Sequence, residues 1–208
     1  DSQGRSSCEG TFTIAPTEHR GFVRISPRDP RYLECDDGSA FFGIGNCEYA
    51  RIDLSNLPKM KAHRMNFVNY SFNDLKLVNP ADGYERYDMA SARLLDHVLA
   101  QAEKNEVRFL FCLWFHSHIG KNMKAVNPFY QVRTNGLAFY QDPLSWKYQE
   151  KYYRYFIARY AYSPSIAVWH LVSELDAATW DWVPKNDVKS WHRALDGYFK
   201  THDPFRHP

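Results

Sequence analysis

Short apolar segments alternate with longer amphipathic ones along this chain, and that alternation limits the folds it can adopt. Segments of strand length occupy residues 41–46, 65–72, 107–115 and 166–172, and a helical pattern follows each of them. Strands that are apolar on both faces, each followed by an amphipathic helix, are typical of a parallel sheet covered by helices. The sequence therefore predicts an α/β fold built from four βα units.

Residue types at the ends of the helical patterns place several boundaries. The second pattern, residues 93–105, carries one apolar stripe at helical spacing. Asp142 is placed to cap a helix that has Pro143 in its first position, and this helix ends before Pro164. The last helix ends before Pro204.

Four βα units make about half of an eight-stranded (β/α)8, or TIM, barrel, which typically needs about 250 residues. The chain has 208 residues. An open doubly wound sheet is the alternative, but the run Gly43-x-Gly45-Asn46 lacks the third glycine and the helix start of a phosphate-binding turn. The sequence favours a partial TIM barrel. Its functional face should carry the long segments 73–89 and 117–141, which follow the carboxyl ends of strands.

The segment before the first predicted parallel strand has a different pattern. Residues 21–25 and 32–35 alternate like short strands, and Asp37-Gly38 supplies a turn. We expect this short β-rich N-terminal segment to form a tail or a cap on the barrel rather than part of its core.

Composition argues against several kinds of partner. The formal net charge is +2 with acidic and basic residues interleaved, so no basic tract predicts nucleic-acid binding. The longest apolar run, residues 109–115, is too short to cross a membrane. The four cysteines have no CxxC spacing, which argues against a zinc or redox motif. We expect Cys47 and Cys112 to be buried thiols, and a secreted protein would allow a disulfide between Cys8 and Cys35.

Glu174 is the strongest candidate for a catalytic residue. It follows the apolar strand 166–172, and a carboxylate at the mouth of a buried parallel strand is costly to desolvate. In barrel enzymes that mouth is where the chemistry takes place. Strand alternation would put Glu174 on the side of His170 and Val172. The structural alternative is an ion pair with a neighbouring Arg or Lys.

Three tryptophans lie close to Glu174 in the sequence. Indole rings would provide both an apolar wall that favours a protonated carboxyl and flat faces for sugar rings. We predict that Trp180 and Trp182 stack against a substrate, whereas Trp169 packs in the core.

His116 and His118 follow the third predicted strand. Side chains two residues apart on a strand project the same way, as metal-binding pairs do. With no third histidine nearby, Glu174 and Asp176 are the obvious carboxylate ligands. A metal site is therefore an alternative to two hydrogen-bonding histidines.

Three polar residues close the first two predicted strands and are expected at the same mouth. Their neutral side chains would hydrogen-bond a hydroxyl-rich ligand, and capping of loops is the other use open to them. These residues are Asn46, Asn69 and Tyr70.

Together these features resemble the N-terminal half of a clan A retaining glycoside hydrolase, broadly of the cellulase and mannanase type of family 5. The resemblance covers residues 21–208, which would form the N-terminal half of a TIM-barrel catalytic domain. Residues 1–20 resemble the end of a preceding β-sandwich-like domain or a linker. The stretches that carry the resemblance are Phe41-Phe42-Gly43-Ile44-Gly45-Asn46, Met65-Asn66-Phe67-Val68-Asn69, the third strand ending in His116, Tyr153 to Tyr160, and Trp169-His170-Leu171-Val172-Ser173-Glu174.

The resemblance implies that Glu174 is the general acid/base, because the clan has a Glu at the end of strand four. The nucleophile would lie on strand seven, beyond Pro208, and the two carboxyl groups of such an enzyme stand about 5–5.5 Å apart. No metal or organic cofactor is implied. The residues implied to hydrogen-bond the substrate are Asn46, Asn69, His116 and Ser173.

Two positions depart from the clan's pattern. Ser173 stands where an Asn usually binds the sugar 2-hydroxyl, and Asn69 stands where strand two commonly ends in an Arg. These departures leave a carbohydrate-binding barrel with impaired catalysis as one alternative. The other alternative is a metal-dependent hydrolase that uses His116 and His118 together with Asp176. The expected partners are a carbohydrate and the missing C-terminal half of the barrel, without nucleic acid or membrane, in a secreted or extracytoplasmic protein.

Overall fold

Two β-sheets organise the chain in the computed structural model, which describes residues 10–11, 13, 19–48, 52–71, 77–125 and 127–208. An antiparallel sheet has the order β1-β2-β3, with β1 Val23–Ile25, β2 Leu33–Cys35 and β3 Ala40–Phe41. A parallel sheet has the order β4-β5-β6-β7, with β4 Gly45–Glu48, β5 Phe67–Ser71, β6 Arg108–Trp114 and β7 Ile166–Val172.

Helices join successive strands of the parallel sheet and continue beyond β7. They are α1 Asn56–Ala62, α2 Met89–Lys104, α3 His116–Ile119, α4 Ala138–Gln141, α5 Pro143–Tyr160, α6 Leu175–Thr179 and α7 Lys185–His202. Short 3-10 turns span Pro80–Asp82, Met123–Ala125 and Pro128–Val132. This arrangement confirms the α/β class and the partial TIM barrel of about four βα units. None of the described helices is long and apolar enough to span a bilayer.

The predicted start of the longest connecting helix is confirmed. Asp142 caps α5, and its Oδ1 accepts hydrogen bonds from the backbone N–H of Leu144 at 2.9 Å and of Ser145 at 3.0 Å. Pro143 takes the first helical position, where no N–H is needed. The strand predicted at 166–172 is also confirmed, because β7 has those bounds.

Other predicted boundaries are wrong. The segment 41–46 is not one strand but is divided between β3 and β4, which belong to different sheets. A Cβ atom on Gly45 would lie 1.4 Å from the carbonyl oxygen of Phe67, so β4 approaches β5 in a way that only glycine permits. Helix α2 begins at Met89, earlier than predicted, since the Asp88 side chain caps it by accepting from Ser91 N–H.

The main core lies between the parallel sheet and the helices. Phe111 of β6 contacts Phe156 of α5 with ring centroids 6.0 Å apart, and Trp169 of β7 contacts Phe199 of α7 at 5.2 Å. Val68, fully buried on β5, belongs to the same cluster. These side chains identify the helix-covered face of the sheet. The opposite, concave face must therefore carry the residues that alternate with them along each strand.

The antiparallel sheet packs at the amino ends of the parallel strands. Its Val23, Cys35 and Phe41 form a separate apolar cluster with Ala167 near the start of β7. Arg24 donates a hydrogen bond to the Phe205 carbonyl after α7. The prediction that this segment caps the barrel is confirmed. Residues 1–20 lie largely outside the described residues, so the domain boundary there stays a prediction.

Asp203 ends α7 and fastens the returning chain to β7. Its carboxylate accepts hydrogen bonds from Trp169 Nε1 at 2.9 Å and from the backbone N–H of Phe205 at 2.9 Å, and it pairs with His207 Nδ1 at 2.7 Å. Burial alone would favour the neutral acid, but bonds from His207 and Trp169 outweigh it and lower the pKa of Asp203 to about 2. The backbone N–H of Trp169 donates to the Pro208 carbonyl at 3.1 Å, so Pro208 lies beside β7.

The cysteine predictions have different outcomes. Cys112 is buried on β6, as predicted, and burial raises the pKa of its thiol to about 11. Cys47 is exposed, contrary to prediction, because β4 is the outer strand of the described sheet and no described strand covers that side. Cys8, the predicted partner of Cys35, lies outside the described residues.

Candidate active site

Glu174 lies at the carboxyl end of the parallel sheet, just beyond β7. The Ser173 N–H donates to the Trp114 carbonyl at 2.8 Å and so extends the pairing of β6 with β7 by one step. Glu174 then takes a left-handed backbone conformation, with φ 55° and ψ 48°, and precedes the first turn of α6. The predicted alternation through Glu174 is therefore wrong, since the strand ends at Val172. Left-handed non-glycine residues cost about 1–3 kcal/mol and cluster at functional sites.

Among the described residues, the Glu174 carboxylate lies within ion-pair distance of His116. His116 is the first residue of α3, directly after β6, and its Nδ1 lies 3.1 Å from Oε2 of Glu174. This nitrogen is buried and has no well-aligned hydrogen bond among the described residues. The pair is at ion-pair distance, with charge on the imidazole only when it is protonated. Two neighbouring strands thus deliver a carboxylate and an imidazole to one point.

The wall of tryptophans predicted around Glu174 is not formed by the described residues. The Glu174 side chain is 53% exposed. Trp169 packs in the core as predicted, and its ring lies on the helix-covered face. Trp182 packs edge-on against Tyr140 at 5.9 Å and donates from Nε1 to the Ala178 carbonyl at 2.6 Å, so its polar atom is already paired.

Trp180 differs from Trp182 in its exposure. It follows the last turn of α6, and 77% of its surface is open to solvent. The Lys185 ammonium lies 5.7 Å from its ring centroid. Trp180 also lines a groove of about 620 Å³ between α6 and α7, and Leu175, the residue after Glu174, is another of its lining residues. An exposed indole that lines a groove is suited to stacking against a sugar ring.

The predicted pair of metal-binding histidines is not arranged as a pair. His116 and His118 lie on helix α3 rather than on a strand, and helical residues two apart point to different sides. His118 Nδ1 lies 3.4 Å from the Phe115 N–H, and its ring meets Trp114 edge-on. Among the described residues, no three His, Cys, Asp or Glu side chains are grouped to hold a metal ion.

Asn46 and Asn69 do not share a face of the sheet. Asn46 is in register with Val68, and Asn69 is in register with Cys47 and Leu110. Because Val68 is on the helix-covered side, Asn46 is on that side too, where its Nδ2 donates to Oε1 of Glu48 at 3.0 Å. Tyr70 is buried there as well and contacts Phe109 and Phe111. The expectation that all three polar residues face one mouth is therefore wrong.

Asn69 is the member of that set on the concave face. Two further polar residues share this face, since Ser71 is in register with Cys112 and Cys112 with His170. Burial lowers the pKa of His170, and its Nδ1 is buried without a partner among the described residues. His170 was not selected as a site residue from the sequence. A polar residue within an apolar strand, on the same side as Val172, was the signal that could have found it.

Comparison with known proteins shows which fold contains this site. No protein-family model matches the sequence, and no curated protein matches it. Solved structures do match. The endo-1,4-β-mannanase from Rhizomucor miehei superposes with a TM-score of 0.63 at 16% identity, over 90% of this chain and 59% of the mannanase. The chain has the fold of a clan A glycoside hydrolase.

Two further structures with this glycoside hydrolase fold support the same conclusion. A glycoside hydrolase of family 5 from Bacteroides vulgatus matches with a TM-score of 0.60 at 17% identity, over 90% of this chain and 39% of that protein. An exo-β-1,4-mannosidase from an Opitutaceae bacterium matches with a TM-score of 0.66 at 17% identity, over 83% of this chain and 32% of the mannosidase. The chain thus spans between about a third and three fifths of the length of these glycoside hydrolases.

Proposed function

We propose that the complete protein hydrolyses O-glycosidic bonds of a poly- or oligosaccharide with retention of anomeric configuration, and that Glu174 is its general acid/base. The observation that carries this proposal is the position of Glu174, at the carboxyl end of the fourth parallel strand of a glycoside hydrolase fold. Active sites of TIM barrels are built at that end. No metal or organic cofactor takes part in the proposed reaction.

Glu174 carries out one proton transfer in each of the two steps of the proposed reaction. In the first, its carboxyl protonates the leaving glycosidic oxygen while a second carboxylate attacks the anomeric carbon and forms a glycosyl-enzyme. In the second, the Glu174 carboxylate removes a proton from water, which displaces the enzyme carboxylate. The second carboxylate is proposed to lie on strand seven of the complete barrel.

His116 is proposed to orient the Glu174 carboxyl and to bond the substrate. Its Nδ1 faces Oε2 at 3.1 Å, and its side chain is 39% exposed at the mouth. Ser173 and Asn69 remain proposed sugar hydrogen-bonders, because Ser173 adjoins Glu174 and Asn69 lies on the concave face. Asn46 is withdrawn from this role, since its side chain lies on the other face of the sheet.

Trp180 is proposed to stack against a sugar unit next to the cleaved bond. Leu175, which follows Glu174 in the chain, is among the residues that line its groove, and we propose that a sugar chain bound there reaches the candidate acid. Trp182 is proposed to support this groove rather than to bind sugar, given its bond to Ala178. Two structural neighbours are an endo-1,4-β-mannanase and an exo-β-1,4-mannosidase, so 1,4-β-mannan is the first substrate to test. A polysaccharide substrate suits a secreted or extracytoplasmic protein.

The proposal is tested on the full-length protein with a panel of β-linked glycans, read out by reducing-sugar release and by NMR of the first anomer formed. We expect hydrolysis of at least one glycan, with the β-anomer appearing first. Initial formation of the α-anomer would mean inversion and would overturn the retaining assignment.

A carbohydrate-binding barrel without catalysis is the second candidate, favoured by Ser173 and Asn69 at positions where the clan carries Asn and Arg. The two candidate functions predict different behaviour of the wild-type protein. Binding of a glycan without hydrolysis over a long incubation supports the second candidate, whereas turnover that Glu174→Gln abolishes, with binding kept, supports the first.

A further inference from the structure

A cavity of about 200 Å³ lies at the amino ends of the parallel strands, at the opposite end of the sheet from Glu174. It is enclosed by the C-terminal ends of α1 and α2, the starts of β5 and β6, and the cap formed by β1 to β3. A single water takes up about 30 Å³ of liquid volume, so the cavity has room for a small polyatomic ligand. Nothing in the proposed glycosidase reaction uses it.

Basic side chains dominate the lining of this cavity. Four Arg and Lys residues line it against two Glu residues, which leaves a formal excess of two positive charges apart from histidine. The cations are Arg20, Lys61, Arg64 and Arg108, and the anions are Glu103 and Glu106.

Most of these charges are already engaged. Lys61 pairs with Glu106 at 2.5 Å, and Glu103 accepts a hydrogen bond from Ser163 Oγ at 2.5 Å. Arg20 donates to Ser39 and lies 3.7 Å from Asp37. The two cations that remain available are Arg64 and Arg108.

Arg108 is the unusual member, because a guanidinium is rarely buried without an anion. Only 7% of this residue is exposed. Within the described part of the chain its side chain makes one hydrogen bond, from Nη1 to the Pro164 carbonyl at 2.6 Å, although a guanidinium has five N–H donors. The Phe41 ring, 5.7 Å from its Cζ, holds it in place. Burial lowers the pKa of Arg108, and the nearby Asp36 and Asp37 carboxylates oppose this shift.

Arg64 provides a second set of free donors at the same cavity. It lies in the turn after α1, and no described acidic side chain pairs with it. Two guanidinium groups that converge on one cavity, one buried and one exposed, fit the planar and bidentate recognition of oxyanions.

We propose that this cavity binds a small multivalent oxyanion of the phosphate or sulfate type, held by Arg108 from inside and by Arg64 at the entrance. The bound anion compensates the charge of the buried guanidinium at the base of the barrel. The site is separate from the glycosidase site and independent of its activity.

The test uses the full-length protein and inorganic phosphate as the probe, with sodium chloride at matched ionic strength so that general screening is equal. Isothermal titration calorimetry should show one phosphate per chain, and thermal unfolding should show a rise in Tm with phosphate that chloride does not give. Arg64→Ser and Arg108→Met should each weaken phosphate binding by about tenfold or more. Arg86→Ser, which changes an exposed turn arginine far from the cavity, is the matched control and should bind as the wild type does.

Each variant is compared with itself in phosphate and in chloride, so a change in its basal stability does not affect the result. If Arg108→Met fails to fold, Arg64→Ser alone tests the proposal. Arg64 is exposed at the surface, so its replacement should not prevent folding. The proposal is overturned if wild-type protein binds phosphate no better than chloride, or if the folded Arg64 and Arg108 variants bind it as tightly as Arg86→Ser does.

Discussion

Nδ1 of His116 lies 3.1 Å from Oε2 of Glu174, and the two residues follow neighbouring parallel strands at the same end of the sheet. The register of β6 with β7 pairs Trp114 with Val172, so both chains leave the sheet at the same level. A turn into α3 on one side and a left-handed residue on the other then direct the two side chains toward each other. The contact is therefore set by backbone geometry.

Replacement of His116 by Phe should lower kcat/KM for a glycan by about 10- to 100-fold, because a hydrogen bond or ion pair to a charged group contributes roughly 1.5–3 kcal/mol. The pH profile of kcat/KM should change shape as well, since the side chain that lies at ion-pair distance from the Glu174 carboxylate is removed. His97→Gln, on the exposed side of α2, is the control and should leave both unchanged. An unaltered pH profile in His116→Phe would contradict a positioning role.

Trp180→Ala should raise KM for a polysaccharide by about tenfold and leave kcat nearly unchanged, because loss of a stacking face removes binding of roughly 1 kcal/mol or more. Steady-state kinetics on a long glycan measure this. A fall in kcat with constant KM would argue against a stacking role.

Trp182→Ala should act on stability instead. The ring packs on Tyr140, and its N–H bonds to Ala178, so truncation removes buried contacts and should cost about 3 kcal/mol in the free energy of unfolding. Urea unfolding tests the difference between the two tryptophans. Equal stability losses in Trp180→Ala and Trp182→Ala would show that they have been assigned wrongly.

Asp203 should make the protein sensitive to acid. Its pKa is lowered from 3.8 to about 2, so its contribution is fully present above about pH 4 and is lost as the pH falls through about 2. The shift corresponds to about 2 kcal/mol of stability. Urea unfolding between pH 2 and pH 6 should show this loss in the wild type and a shallower dependence in Asp203→Asn.

The surface pair of Asp196 with Lys200 on the same helix supplies the control for Asp203. Asp196→Asn should change the free energy of unfolding by less than about 1 kcal/mol, since exposed i,i+4 pairs contribute little. A steep acid dependence that persists in Asp203→Asn would locate its cause elsewhere.

Cys112 should resist alkylation in the native protein, because its thiol is buried and its pKa is raised to about 11. Iodoacetamide at pH 8, followed by peptide mass mapping, should label Cys47 before Cys112, and urea should remove the difference. Rapid labelling of native Cys112 would show that β6 is not buried as described.

Local signals in the sequence were sufficient for much of the fold. Asp142 and Pro143 predicted the start of α5 because a cap and a helix-compatible proline act within one turn. The apolar run of β7 was equally clear. The sequence could not show that the chain leaves the sheet after Val172, since the left-handed turn at Glu174 has no glycine to mark it.

It was harder to predict which residues share the site. The face of the sheet on which a side chain lies depends on the pairing between strands that are distant in sequence. Asn46 and Asn69 looked equivalent until the register of β4 with β5 placed them on opposite sides. His116 and His118 looked like a pair only while the strand was taken to continue through them. The inward position of His170 likewise depends on its register with Cys112.

The central claim is that Glu174 delivers a proton to the leaving oxygen, and the most direct measurement is the leaving-group dependence of Glu174→Gln in the full-length enzyme. Glycosylation of an aryl glycoside with a dinitrophenol leaving group needs little protonation, whereas a sugar leaving group needs it fully. We expect the first-step rate on an oligosaccharide to fall by about 10²–10⁴-fold and that on the dinitrophenyl glycoside to change little. Asp181→Asn, an exposed carboxylate in the segment after α6, serves as control. Equal losses on both substrates, or no loss on either, would contradict the assignment of Glu174.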